Sequence, residues 1–181
     1  SLNAAALVRI LAEAGLPDGV LNMVTGPGGA VGDALVTDPR VKGISFTGST
    51  SVGLGIQGRA VGKKVQLEMG GKNPYVVMED ADLSDAAAKV SFGGFGYAGE
   101  KCTASSRAIV VEEVYDEFIE ELKSATEAMK VGDPLEEDTD IGPVVNKSQY
   151  DSILEALETA KNEGRVVLEG GASGSEDAGY Y

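Results

Sequence analysis

The chain has 181 residues, 43% of them hydrophobic, a formal net charge of −14, one cysteine and no histidine. That size and apolar content suit one domain or parts of two with a buried core, and argue against wholesale disorder. No apolar run reaches the ~18 residues of a membrane span, the start Ser1-Leu2-Asn3-Ala4 has no basic signal region, one Cys excludes an internal disulfide, and one Cys without His argues against zinc.

Taken in order, Ala4 to Ala14 has helical spacing of Leu7, Ile10, Leu11 and Ala14, with Gly15 as the stop and Pro17 beyond it. Val20 to Val24 is predicted as a short buried strand running into the turn-rich Thr25-Gly26-Pro27-Gly28-Gly29. A short helix over Val31 to Leu35 closes at Asp38-Pro39. Gly43 to Phe46 reads as a strand, Thr47-Gly48-Ser49-Thr50 as a loop, the stretch to about Ala60 as a helix, and Lys64 to Glu68 as a strand. This alternation predicts parallel βα units, with strands short and apolar enough for a sheet covered on both faces.

After Pro74 the pattern restarts, which puts the domain boundary near Gly70-Gly71. Tyr75 to Met78 is a predicted strand. Asp82 caps a helix reaching about Tyr97, with Asp85 in its first turn. Ala108 to Val111 is a strand. Val114 to Met129 is an amphipathic helix with Val114, Phe118, Leu122, Ala125 and Met129 on one stripe. Gly132-Asp133-Pro134 follows it. Lys147 to Glu163 is a helix turning Tyr150, Ile153, Leu154, Leu157 and Ala160 inward. Arg165 to Leu168 is predicted as a strand, Gly170 to Gly179 as a Gly/Ser-rich loop, and Tyr180-Tyr181 as the start of another strand. Both ends fall mid-element, which suggests a piece of a longer polypeptide.

The acids concentrate between Glu112 and Asp140, twelve Asp or Glu against two Lys. Such a surface disfavours nucleic acid and anionic membranes. It reads either as a solvated face or as adaptation to high salt. The single Cys points to a reducing compartment, the cytoplasm.

Four stretches could carry chemistry. Gly53-Leu54-Gly55-Ile56-Gln57-Gly58 matches G-x-G-x-x-G, but it starts seven residues after Phe46, inside the predicted helix. A dinucleotide fingerprint starts in the turn itself. The better anion site is Thr47-Gly48-Ser49-Thr50, where free N–H groups and the helix dipole would face a phosphate. The same turn also reads as a plain capped helix start. Glu68 ends a strand before Gly70-Gly71, where ligands bind in open α/β sheets. It is a general-base candidate or an exposed strand-end carboxylate. Cys102, in Gly99-Glu100-Lys101-Cys102-Thr103-Ala104, is either a small buried hydrophobe or a nucleophile, with Lys101 favouring the thiolate and Glu100 opposing it. Without His, a Cys–His pair is impossible, and Glu68 is the better base.

Together these stretches resemble the aldehyde dehydrogenase superfamily over about Ala5 to Tyr181. Glu13 to Asn22, Phe46 to Thr50, Leu67 to Lys72, Gly99-x-x-Cys102, Gly132-Asp133-Pro134 and Ile141-Gly142-Pro143 carry the resemblance in order. It implies an α/β fold, incomplete at both ends. Parallel Rossmann-like units over 1–70 would end the cofactor domain, and 71–181 would be part of the catalytic domain.

The resemblance further implies that Cys102 attacks an aldehyde to give a thiohemiacetal, that hydride leaves for the nicotinamide of NAD or NADP, and that Glu68 activates water to hydrolyse the thioester. Glu68 argues against the branch that passes the thioester to coenzyme A. Gly48, Ser49 and Met69 would lie beside the cofactor, the Cys102 N–H would form half of the oxyanion hole, and Lys72 would belong to the surface. A semialdehyde such as 2,5-dioxopentanoate is the implied substrate class, and a homo-oligomer the implied assembly of the parent. The family usually has Gln where Glu100 stands and Leu where Met69 stands. Its other oxyanion-hole and ribose residues lie upstream, so the chain alone should not turn over. Two rival readings are a non-enzymatic binding or structural protein that keeps the fold and a thiol esterase using Cys102 and Glu68.

Overall fold

Parallel pairing organises both strand pairs in the computed structural model, which describes residues 2–172 and 179–181. The chain divides into two units, Ser1–Met69 and Gly70–Tyr181.

In the first unit, helix α1 spans Leu2–Glu13 and stops at Gly15, whose φ of +94° only glycine adopts readily. A π-helical turn at Gly28–Gly32 leads into α2, Asp33–Thr37. Strand β1, Gly43–Gly48, pairs in parallel with β2, Lys64–Met69, and α3, Thr50–Arg59, makes the crossover. Period-2 alternation turns Ile44, Phe46 and Val65 onto a small core of Val36, Ile56 and Ala60. Lys63 reinforces it by donating its ammonium to the carbonyls of Val36 (2.6 Å) and Asp38 (2.7 Å), the last turn of α2 and its cap.

In the second unit, β3, Asn73–Val77, pairs in parallel with β4, Ser105–Val110. Helix α4, Leu83–Phe95, starts at Asp82, whose carboxylate accepts the Asp85 N–H at 3.1 Å. Helix α5, Tyr115–Glu127, lays its apolar stripe on α4 and the sheet. Phe118 and Ala87 are fully buried there beside Val77. Removing a Phe side chain from water contributes about 1.5–3 kcal/mol, which makes Phe118 the anchor of this core. Helix α6, Lys147–Glu163, is capped by Asn146, whose side chain accepts the Gln149 N–H.

The structure corrects several expectations. Val20–Val24 and Arg165–Leu168 are not strands: among the described residues neither pairs with another strand, and apolar content without a ladder does not make one. Tyr180 forms only an isolated antiparallel bridge with Val144. The β1–β2 sheet is covered on one face, since Ser45, Thr47, Gln66 and Glu68 are exposed. The apolar stripe of α1 is exposed, and that of α6 is half-buried apart from exposed Ala160. Helical spacing predicts an apolar face but not what covers it. Residues 173–178 of the predicted Gly/Ser-rich loop lie outside the described residues.

Candidate functional site

Gly48, Ser49, Glu68 and Met69 gather at one end of one sheet. The β1–β2 register sets Thr47 beside Glu68 and Gly48 beside Met69, so the carboxyl ends of both strands lie side by side. Ligands bind at this edge in parallel α/β sheets. Ser49 is the N-cap of α3: its hydroxyl accepts the Val52 N–H at 3.4 Å and lies 3.3 Å from Ser51 Oγ. Glu68 is exposed and accepts a hydrogen bond from Gln66 Nε2 at 3.3 Å. Met69 faces α3, where a Cβ on Gly53 would come within 2.5 Å of its sulfur.

The G-x-G-x-x-G match therefore lies within α3, as its spacing requires, and its glycines have different surroundings. Gly53 lets β2 approach the helix, Gly55 lines a cavity, and Gly58 faces open space.

That cavity, about 590 Å³, opens between the Gly28–Gly32 turn, α2 and α3. Phe46, Val36 and Ile56 supply apolar walls, and the Asp33–Arg59 ion pair, 2.5 Å, lies at its lining. A Cβ on Gly28, Gly29, Gly32 or Gly55 would meet no protein atom within 4 Å, so each leaves the cavity wall free of side chain. In the sequence Gly28-Gly29 reads only as a turn. The repeated glycines before a short helix were the available signal.

Cys102 lies in the second unit and is exposed, which sets aside the buried-hydrophobe reading. The chain reaches it through three consecutive residues in the left-handed region: Tyr97 (φ 59°), Ala98 (54°) and Gly99 (67°). For Tyr and Ala this is uncommon and strained, and such strain clusters at functional sites. At Gly99 a Cβ would also come within 2.8 Å of the Gly94 carbonyl oxygen. The turn carrying the thiol closes with Ala104 N–H donating to Lys101 O at 3.0 Å. The Lys101 ammonium lies 5.6 Å from the Tyr97 ring centroid, a cation–π contact. Asn73, which sequence reasoning passed over, donates its amide to the carbonyls of Cys102 and Ala104.

A parallel βα unit with a glycine-lined cavity, followed in the chain by a second α/β unit with an exposed thiol, defines an α/β fold. The aldehyde dehydrogenase family model matches residues 1–181. A 1-pyrroline-5-carboxylate dehydrogenase of Geobacillus sp. (strain WCH70) is 45% identical over 181 residues, covering 96% of this chain and 35% of that protein. An alpha-ketoglutarate semialdehyde dehydrogenase of Haloferax volcanii is 47% identical over 167 residues, covering 91% and 34%. The crystal structure of a 1-pyrroline-5-carboxylate dehydrogenase from Thermus with bound NAD superposes with a TM-score of 0.89 at 38% identity, covering 97% and 36%. The chain belongs to the aldehyde dehydrogenase family, and it spans about a third of the length of these relatives.

Proposed function

We propose that this chain works within a longer NAD(P)-dependent aldehyde dehydrogenase that oxidises a semialdehyde to a carboxylic acid. Residues 1–70 would close its cofactor domain and 71–181 would form part of its catalytic domain. The observation that carries the reading is the exposed Cys102 just beyond the left-handed Tyr97-Ala98-Gly99, in a chain whose relatives include alpha-ketoglutarate semialdehyde dehydrogenases. The relatives called alpha-ketoglutarate semialdehyde dehydrogenases favour 2,5-dioxopentanoate, the same compound, as substrate.

Cys102 Sγ adds to the aldehyde carbon, and its carbonyl oxygen takes the developing negative charge toward the Cys102 N–H. NAD(P) bound in the longer polypeptide would supply the hydride acceptor, and loss of hydride from the former aldehyde carbon converts the thiohemiacetal on Cys102 into a thioester. Glu68 takes a proton from water, the hydroxide displaces the thiolate, and the acid departs. The cofactor would be held in this unit, its adenosine end at the cavity beside α3 and its phosphates toward the start of that helix at Gly48 and Ser49, with Met69 at the adjoining strand end.

Formation of reduced nicotinamide from 2,5-dioxopentanoate by the longer polypeptide tests this. In C102A turnover falls by about 10³-fold or more. In E68Q one equivalent of reduced nicotinamide forms rapidly and steady turnover falls by about 10²-fold or more. Unchanged turnover in C102A overturns the assignment. Ester hydrolysis without any aldehyde oxidation would favour a thiol esterase instead.

A further inference from the structure

We propose that Asn73 is a positioning residue for Cys102, clamping the main chain of the thiol-bearing turn through a forked carboxamide. The proposal rests on the reading of Cys102 as nucleophile. Asn73 Nδ2 donates to Cys102 O at 2.7 Å and to Ala104 O at 3.2 Å. One nitrogen with two hydrogens can serve both carbonyls; Asp has no hydrogen to give there when ionised, and Ser has one. Holding the Cys102 carbonyl restrains ψ of Cys102. With the Ala104 N–H to Lys101 O bond closing the turn, it sets where Sγ and the Cys102 N–H point.

Two further features prepare the clamp. Asn73 pairs with Ser105 but Pro74 pairs with Arg107, so Ser106 is an extra residue on β4. Such a bulge re-aims the side chains beside it. Pro74 confines the Asn73 backbone to extended conformations, so less freedom is lost when its amide is held. A Cβ at Gly71 would be in ordinary van der Waals contact, 3.5 and 3.6 Å from the Asn73 amide atoms and 3.6 Å from Cys102 O, so that segment runs alongside the clamp. A second tie crosses the same loops, Arg107 Nη2 donating to Lys72 O at 2.6 Å. Residues 72 and 73 are thus tied both to the thiol's turn and to the strand that follows it.

The test uses the longer polypeptide with N73A, N73D and N73S. Iodoacetamide alkylation of Cys102 is followed against pH, beside kcat and KM for 2,5-dioxopentanoate. A nucleophile displaced by ~1 Å loses up to about 10²-fold. N73A therefore lowers kcat by about 10-fold or more, with KM within about threefold. N73D, which sets a carboxylate near the thiol, also shifts the half-maximal alkylation pH upward. N73S keeps one donor and recovers part of the lost kcat. If wild-type Cys102 alkylates no faster than free cysteine, the nucleophile reading falls and the clamp with it. If the wild type is fast and N73A and N73D match its rate and pH profile, the clamp alone is overturned. Equal losses in N73S and N73A, with equally lowered melting temperatures, also overturn it and leave Asn73 a merely structural residue.

Discussion

The chain approaches Cys102 through left-handed backbone, which Tyr97 and Ala98 rarely adopt and Gly99 adopts readily. Gly99 carries the sharpest of these constraints, because it combines a positive φ with a close approach to the Gly94 carbonyl. Alanine there would incur the left-handed penalty, about 1–2 kcal/mol, and would have to push backbone aside. G99A is therefore expected to lower stability by about 2 kcal/mol or more and to slow Cys102 alkylation. Urea unfolding and iodoacetamide kinetics on the longer polypeptide check both. Wild-type values in both would show that the turn relaxes freely. The residue type of Cys102 was legible, since a single thiol in a Gly-flanked stretch stands out. The left-handed Tyr97 and Ala98 were not, because nothing in their local preferences asks for positive φ. Asn73 escaped notice because its role depends on carbonyls 29 and 31 residues away.

Elements were legible where a local period repeats. Helices α3, α4 and α5 and strands β1 to β4 fall near their expected places, because capping residues and alternation are written within each segment. The segments 20–24 and 165–168 failed because a strand exists only with a neighbour. Within α3 the glycines make a prediction that separates packing from binding. Gly55 and Gly58 are both helical, and a Cβ at either would meet nothing within 4 Å, but only Gly55 lines the cavity. Alanine at either position is expected to raise stability by up to about 1 kcal/mol through helix propensity. Only G55A is expected to raise the KM for NAD(P), by about threefold or more, since a methyl group would occupy the cavity. Thermal melting and cofactor titration of the two variants decide it. Equal cofactor KM in G55A and G58A would remove the cavity from the cofactor site.

At the scale of the whole molecule, charge is the property that composition alone exposes. With a net charge of −14, compaction works against self-repulsion. Salt shortens the screening length from ~10 Å at 0.1 M to ~3 Å at 1 M. The melting temperature of the longer polypeptide is therefore expected to rise between these concentrations of KCl, by about 1 °C for each kcal/mol of repulsion relieved in a chain of that length. A melting temperature that stays flat or falls would show that the acidic residues around Glu112 to Asp140 are too well solvated to repel one another.

The residues themselves determined the βα rhythm, the helix cap at Asp82, the acidic character and the identity of the one thiol. All of these are expressed within a few positions of chain. Tertiary structure alone decided that Cys102 is exposed, that α2 and α3 leave a cavity between them, that β1 and β2 end together at Gly48 and Met69, that Ser49 caps α3, and that Asn73 reaches the thiol's turn. These depend on contacts between distant segments, whose entropic cost of closure and packing geometry no local pattern records.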